Sequence, residues 1–330
     1  MNRREVIALL AILILPMAAR PLSAQTQRMA RIGYLTGGVP TPDGGSLTGS
    51  LAILKEGLHQ LGWREGATFD VDARFAGGDF STISRLAVEL VARRLDVIVA
   101  TGSTETKALQ VATKEIPIVF LQVHDPLSLG IVDSIARPGG NTTGFSAGPQ
   151  LLWEKRLEVL AELLGRLPHR LAWIGNPTNA GGTLGWSDAK AAAGKHAVSL
   201  TRVEVTKPNE LESAFASLRD CDALLVHWDF LLYSLRKRLV ELVAERRLPA
   251  VYEYRSYIVE GGLVSYGADV RDNFRRAAGY VDRILKGARP ADLPVDQASR
   301  YELVINVRTA KSLGITIPPA LLTRADEVIE

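Results

Sequence analysis

Short apolar runs alternate with longer amphipathic stretches along the first part of the chain. Apolar residues at positions 47, 51, 54, 58 and 61 have the spacing of a helix face and predict a helix over 47–61. Gly62 ends that helix. The same reasoning predicts helices at 81–94, 103–113 and 127–135. Continuous or alternating apolar runs predict strands at 30–35, 68–75, 96–100, 116–121 and 142–145.

The strand–helix alternation begins again near residue 149. Helices are predicted at 149–167, 185–198, 210–218 and 231–247. Strands are predicted at 171–175, 200–205, 222–227, 250–252 and 263–266. Repeated βα units are typical of α/β folds with parallel strands covered by helices. Two such sets predict two doubly wound parallel-sheet lobes.

No low-complexity or flexible linker separates the two sets, so extended crossovers should join the lobes directly and act as a hinge. We expect these crossovers at 146–148, 267–269 and 290–294. The first lobe is predicted to contain residues 28–146 plus 269–290, and the second lobe residues 147–268 plus 295–330.

The first 24 residues have the pattern of a signal peptide. The pair Arg3-Arg4 precedes a twelve-residue apolar run, which is too short to anchor the chain in a bilayer, and a small-residue stretch ends at Ala24. Two arginines suit either general secretory or twin-arginine export, and both routes stay open. We expect cleavage near Ala24 and a mature protein in the periplasm.

Composition is that of a globular protein of about two domains, with 330 residues, 47% apolar and 23% charged. The 39 basic and 36 acidic residues are spread along the chain and give a net charge of +3, which argues against a nucleic-acid partner. The single cysteine, Cys221, lies between Asp220 and Asp222 and is interpreted as a packing residue.

Ligands of open α/β sheets bind beyond the carboxyl ends of the strands. In the first lobe these exits carry two small-residue segments and one carboxylate, namely Thr36, Gly37 and Gly38, then Thr101, Gly102, Ser103 and Thr104, then Asp125. The Thr-Gly-Ser-Thr segment begins a helix and can bind an anion, or it can simply cap that helix. Asp125 can take a ligand ammonium or hydroxyl group, or it can begin an Asp-Pro turn.

In the second lobe the strand exits carry aromatic and polar residues, namely Asn176, Trp228, Asp229, Tyr252 and Tyr266. The aromatic side chains can stack on a flat ligand, and Asp229 can pair with an ammonium group. The alternative for each aromatic residue is packing within the lobe.

Catalytic motifs are absent from the sequence: there is no Walker loop, nucleophile elbow, His-Glu-x-x-His helix or Cys-x-x-Cys pair. His124 and His227 both follow strands and can meet across a cleft, but we expect no catalytic residues, metal or cofactor.

Several segments together resemble the ABC-transporter substrate-binding proteins related to tryptophan- and tyrosine-binding lipoproteins. The resemblance runs from about Arg31 to the C-terminus and is carried by residues 32–36, 96–102, 116–120 with Asp125-Pro126, 137–144, 176–179, 260–267 and 310–319. It implies a type I periplasmic-binding-protein fold that captures an amino acid, aromatic or other, by hinge closure. The family's cleft loops correspond here to 36–38, 101–104, Asp125, Asn176, Asp229 and Tyr266.

Trp153, Trp186 and the run from His227 to Phe230 depart from the expected pattern, and Trp228 would reshape the cleft. The resulting hypothesis is a monomeric solute-binding component of an ABC importer, with a small-molecule ligand and the importer's membrane permease subunits as partners. An exported enzyme using Asp125 with His227, and a periplasmic sensor for a membrane receptor, are the alternatives.

Overall fold

A computed structural model describes residues 28–40, 50–147, 152–298 and 300–330 of the protein. Their strands form two sheets. The strands are β1 Ala30–Thr36, β2 Phe69–Phe75, β3 Val97–Thr101, β4 Ile118–Val123, β5 Thr142–Ser146, β6 Arg170–Gly175, β7 Ser199–Glu204, β8 Ala223–Val226, β9 Ala250–Tyr252, β10 Val264–Ala268, β11 Asp296–Gln297, β12 Tyr301–Asn306 and β13 Glu327–Ile329.

Helices connect most of these strands. They are α1 Ser50–Gln60, α2 Ile83–Val91, α3 Ser103–Ala112, α4 Leu152–Leu164, α5 Ala180–Lys195, α6 Leu211–Ser217, α7 Phe230–Ser234, α8 Arg236–Glu245, α9 Arg255–Val259, α10 Val270–Leu285, α11 Val307–Leu313 and α12 Pro319–Arg324. The predicted two-lobed α/β architecture is confirmed.

The first sheet has the strand order β11-β5-β4-β3-β1-β2, and all its pairs are parallel. Its central strands are buried along their whole length, as in β3, because helices cover both faces. Helices α1 and α10 pack closely on each other: a Cβ atom on Gly57 would lie only 2.7 Å from Cβ of Ala278. The switch in strand order falls between β1 and β3.

The second sheet has the order β13-β12-β10-β9-β8-β6-β7. Its pairs are parallel except that β12 runs antiparallel to β10. The expectation of a wholly parallel sheet is therefore corrected at this edge. The switch in strand order falls between β6 and β8, so each sheet has one switch point.

The chain crosses between the lobes after β5, after β10 and after β11. Helix α10 packs on α1, and β11 pairs with β5, so both belong with the first lobe. Residues 295–298, assigned above to the second lobe, thus lie with the first, because backbone hydrogen bonding to β5 places Asp296 and Gln297 there. The third crossover accordingly follows residue 297 rather than lying within 290–294.

Three predicted elements differ from the structure. Residues 127–135 form turns rather than a helix, since Gly130 has a φ of +63° and Ile131 and Val132 pack against Phe120 without helical hydrogen bonding. The helix predicted at 231–247 is divided into α7 and α8 at Leu235, whose ψ of 4° departs from α-helical values. Helix α5 begins five residues earlier than predicted, where the Asn179 side chain accepts a hydrogen bond from Gly181 N.

Cys221 packs against the main core, as predicted. The predicted signal peptide lies outside the described residues. Residues 41–49 lie outside them too, and these include the start of the first predicted helix. The same is true of residues 148–151, which include part of the first predicted crossover and the start of the helix predicted at 149–167. Among the helices of the described ranges, none is long and apolar enough to cross a membrane.

Candidate ligand-binding site

The carboxyl ends of the two sheets face each other across a cleft, with both switch points at its centre. A cavity of about 30 Å³ lies there. From the first lobe it is lined by Gly102, Ser103, Glu105, Gln122, His124 and Ala147. From the second lobe it is lined by Asn179, Gly181, His227, Trp228, Phe230, Glu253 and Tyr254. We call this space the cleft cavity.

Direct contacts hold the two lobes together around the cavity. Tyr254 OH donates to Gln122 Oε1 at 2.9 Å, and His124 Nε2 lies 3.0 Å from Asp188 Oδ2. The backbone N–H of α5's first residue donates to Thr104 Oγ1 at 3.1 Å. Each contact joins a first-lobe residue to a second-lobe residue, so the structure is a closed form.

On the second-lobe wall, a buried glutamate is held by two basic side chains. Glu253 Oε1 lies 2.6 Å from His227 Nδ1, and its Oε2 lies 3.5 Å from the Arg156 guanidinium. Burial acts to raise the pKa of Glu253, but Arg156 and His227 outweigh it and bring the pKa to about 2. This carboxylate is charged and its charge is balanced within the lobe.

The His227 ring is enclosed by aromatic side chains. It stacks on Trp173 at 5.4 Å between ring centroids, and Trp153 and His124 lie at 6.0 and 6.4 Å. A Cβ atom on Gly185 would lie 2.9 Å from the ring, so this helix position must stay small for the ring to fit. The predicted meeting of His124 and His227 across the cleft is confirmed. Among the described residues, no group of three or more His, Cys, Asp or Glu side chains is arranged to hold a metal.

An aromatic cluster fills much of the cleft beside the cavity. The Trp228 ring packs edge-on against the rings of Phe230 and Tyr254, with 4.8 and 5.5 Å between ring centroids. Trp228 Nε1 is buried and has no hydrogen-bond partner in the described part of the chain. Aromatic faces with an unused donor suit a ligand that has both a flat apolar part and a polar group.

On the first-lobe wall, Glu105 is buried in the first turn of α3. Its carboxyl occupies the space that two glycines leave open: a Cβ on Gly37 or Gly102 would lie 2.7 or 2.4 Å from a Glu105 carboxyl oxygen. The pKa of Glu105 is raised to about 8, chiefly by burial; the nearby Asp229 carboxyl acts in the same direction, and hydrogen bonds from the backbone N–H groups of Glu105 itself and of Gly37 act against it. These glycines, predicted to contact ligand, thus make room for an acidic side chain.

Gln122 holds a strained position at the end of β4. Its φ of +55° is in the left-handed region, and the pairing with β5 shifts register between Phe120 and Val123. Its side-chain Nε2 is buried without a hydrogen-bond partner and lines the cleft cavity. Non-glycine residues in this conformation concentrate at ligand sites.

The structure brings only some of the predicted site residues to the cavity. Gly102, Ser103 and Trp228 line it, and their contact with ligand stays a prediction. Thr104 is used in the inter-lobe contact described above. Thr36 Oγ1 accepts a hydrogen bond from Gly38 N and shapes the loop after β1, while Thr101 Oγ1 lies 3.5 Å from Leu35 O.

Two predicted polar residues support local structure beside the cavity. Asp229 Oδ1 accepts from Leu232 N at 2.7 Å and caps α7, and burial raises the pKa of Asp229 to about 6. Asn176 Oδ1 accepts from the backbone and the hydroxyl of Thr178. Both side chains are fully buried and neither lines the cavity.

Three predicted residues lie away from the cavity. Asp125 accepts hydrogen bonds from Leu127 N and Ser128 N and so is used in the turn after β4. Tyr252 is buried in the core and stacks on Tyr257 at 5.0 Å. Tyr266 stacks instead on Tyr301, at 6.1 Å.

Ten lining residues were not predicted from the sequence as ligand contacts, among them Glu105, Gln122, Glu253 and Tyr254. One signal was available for Glu253 and Tyr254, because both follow β9 directly at a strand exit. The same signal was available for Gln122, which directly follows the strand predicted at 116–121, whereas Glu105 gave no comparable signal.

Two α/β lobes that close on a polar and aromatic cavity define a solute-binding protein with the type I periplasmic-binding-protein fold. The chain belongs to the ABC transporter substrate-binding protein family, whose model matches residues 43–329. This is a family of binding proteins.

Relatives of known structure or binding agree with this assignment. The chain is similar to a Vibrio cholerae conserved domain protein, with 30% identity and a TM-score of 0.84 over 91% of this chain and 100% of that one. It is similar to a Streptococcus pneumoniae ABC domain in complex with L-Trp, with 27% identity and a TM-score of 0.83 over the same shares. It is also 26% identical to a Clostridioides difficile tyrosine-binding protein over 259 residues, 78% of this chain and 74% of that one.

Proposed function

We propose that the protein is the extracytoplasmic solute-binding component of an ABC importer and captures an amino acid with an aromatic side chain. The observation that carries the proposal is the convergence of Trp228, Phe230 and Tyr254 with unpartnered polar atoms on one cavity between the lobes. The L-Trp complex and the tyrosine-binding relative support the choice of ligand class.

Capture requires the lobes to part, because a space of about 30 Å³ holds a few water molecules rather than an aromatic amino acid. A groove of about 730 Å³ between the loops after β2 and β7 marks where solvent reaches the lobe boundary. A ligand that contacts both lobes shifts the equilibrium toward a closed form in proportion to its greater affinity for that form. The importer's membrane subunits would then recognise closure.

Export follows from the predicted signal peptide and agrees with the role of the family. The mature chain would begin at Gln25 and act as a monomer in the periplasm.

The test is a thermal-shift and calorimetric screen of the chain from Gln25 onward against L-Trp, L-Tyr, other amino acids, sugars and purines. A ligand at 100 times its Kd adds about 2.7 kcal/mol and should raise Tm by several degrees. A shift with an aromatic amino acid supports the proposal. A shift confined to sugars or purines, or none at all, would contradict it.

A matched pair of variants tests the site itself. Trp228→Phe removes an indole N–H and part of a cavity wall, and should weaken binding several-fold. Trp186→Phe makes the same change outside the cavity and should leave affinity unchanged. Equal effects of the two substitutions on affinity would place the ligand elsewhere.

A further inference from the structure

Glu105 is a buried carboxyl of the cleft cavity that forms no ion pair with a described residue. Glu253 is paired with Arg156 and His227, and Asp188 with His124. Within the described residues, no Lys, Arg or His forms an ion pair with Glu105, and its Oε1 has no hydrogen-bond partner although only 1% of the residue is exposed. A carboxylate is costly to bury without a counter-charge, so Glu105 is neutral in the unliganded protein, and a cation that stabilises its charged form would come from outside the protein.

The position of Glu105 directs its carboxyl to the ligand. It lines the cleft cavity, held against Gly37 and Gly102 and close to Phe230. Its acidic neighbour Asp229 is used differently: one oxygen caps α7, and the side chain does not line the cavity. Of the two buried carboxyls in this part of the cleft, Glu105 is therefore the one that a ligand reaches.

The remaining unpartnered groups of the cavity complete the pattern of an amino acid. Gln122 Nε2 and Trp228 Nε1 are buried donors that have no partner among the described residues, and both residues line the cavity beside Glu105. His227 Nε2 is a third lining atom without a partner in the part of the chain that the structure describes. Glu105 Oε1 as an acceptor, with Gln122 Nε2 and Trp228 Nε1 as donors, matches a ligand that carries both an ammonium group and a carboxylate.

We propose that Glu105 receives the ammonium group of the ligand and is the residue that selects amino acids over the corresponding acids without an amino group. This assignment rests on the proposed function, since it concerns the same cavity. An ammonium group in contact with a carboxylate forms a charge-assisted hydrogen bond, which is stronger than a neutral one.

Binding also moves one proton. Because its pKa is raised to about 8, Glu105 holds a proton at pH 7 in the unliganded protein. The arriving ammonium favours the carboxylate, and the carboxyl proton leaves to solvent. Asp229 and Tyr34 are the other titratable groups beside Glu105. Asp229 has a pKa of about 6 and is mostly deprotonated at pH 7 before the ligand binds. The pKa of Tyr34 is raised above its usual range, so Tyr34 keeps its proton. Neither residue would therefore release a proton on binding at pH 7.

The experiment uses ligands in pairs that differ only in the amino group: L-Trp with indole-3-propionate, L-Tyr with 3-(4-hydroxyphenyl)propionate, and L-Leu with 4-methylpentanoate. Calorimetry gives the affinity of the wild-type chain and of Glu105→Gln for each. The variant should lose about 10- to 100-fold in affinity for the amino member and little for its partner. Glu115→Gln, an exposed position after the same helix, is the control and should change neither.

A second measurement works without any variant. Binding of an amino member to the wild-type chain at pH 7, repeated in buffers of different ionisation enthalpy, should release about one proton, and binding of the deaminated member none. This keeps the assignment open to refutation even where Glu105→Gln does not fold.

The outcomes separate the two proposals. Suppose that L-Trp or L-Tyr binds, but Glu105→Gln keeps the preference for the amino member of the pair, or binding releases no proton. Either result overturns the role of Glu105 and leaves the proposed function standing. L-Leu binding alone, with its preference lost in the variant, overturns the aromatic ligand and supports Glu105. Equal binding of both members of a pair, or binding of none, overturns the role of Glu105.

Discussion

The two walls of the cleft bury a glutamate in opposite electrostatic settings. Glu253 on the second lobe has Arg156 and His227 beside it and a pKa of about 2. Glu105 on the first lobe has no cation and a pKa of about 8. Burial raises the pKa of both side chains, so the neighbouring charges alone decide the difference. The balanced glutamate supports the lobe, and the unbalanced one is available to a ligand.

The largest effect on stability should come from replacing Glu253, the glutamate whose charge is balanced. Glu253→Gln leaves the Arg156 guanidinium buried without a counter-charge and should lower the free energy of unfolding by about 3–5 kcal/mol. Chemical denaturation of the unliganded protein measures it. Glu158→Gln, in an exposed pair with Lys155, is the control and should change little. A loss no greater than that of the control would mean that Glu253 is not part of the lobe's support.

The next effect concerns the unbalanced side and depends on pH. The folded protein holds a proton on Glu105 that the unfolded chain releases above its ordinary pKa of 4.5, so stability is greatest at low pH and falls as pH rises toward 8. Glu105→Gln removes this dependence. Between pH 6 and 8 the wild-type chain should lose about 2 kcal/mol more than the variant.

Denaturation curves across that range measure the difference. Asp229 acts mainly below pH 6. Parallel pH profiles for the wild type and Glu105→Gln would show that the Glu105 carboxyl is not desolvated.

The smallest expected effect is on the contact between the walls. Tyr254→Phe removes the hydrogen bond to Gln122 across the lobes and should weaken closure by about 1 kcal/mol, a several-fold loss of ligand affinity. Calorimetry with the ligand found in the screen measures it. Tyr301→Phe makes the same change away from the cavity, and an equal loss there would argue against a role of the Tyr254 hydroxyl in closure.

Most of the fold was readable from the sequence because parallel strands covered on both faces leave continuous apolar runs, as in β3. The errors arose where local signals conflict with packing. Ile131, Val132 and Ile135 have helical spacing but pack as turns around Gly130. Three glycines in the first two turns of α5 hid its true start, since glycine is a poor helix former. No helix or strand was predicted beyond residue 266, so α10 and β12 were missed.

The site was less readable because contacts distant in sequence build it. Glu105 is an acidic residue in the first turn of a helix, where its charge interacts favourably with the helix dipole. Such residues are usually exposed, so nothing in the sequence indicated that Glu105 is buried. Its burial follows from Gly37, 68 positions earlier in the chain. Gln122 follows the strand predicted at 116–121 but was not predicted to contact ligand, and Tyr252 was predicted to lie at a strand exit although its side chain is buried in the core.

The return of the chain to the first lobe sets the order in which the molecule can assemble. The first lobe lacks helix α10 and its edge strand β11 until residue 297 has emerged, while residues 152–268 of the second lobe are already present. The first lobe therefore begins first in the chain but is completed late. Helix α1 packs on α10, so this part of the lobe stays incomplete while most of the chain is still being synthesised or exported. The first lobe can therefore be completed only when nearly the whole chain is available for folding.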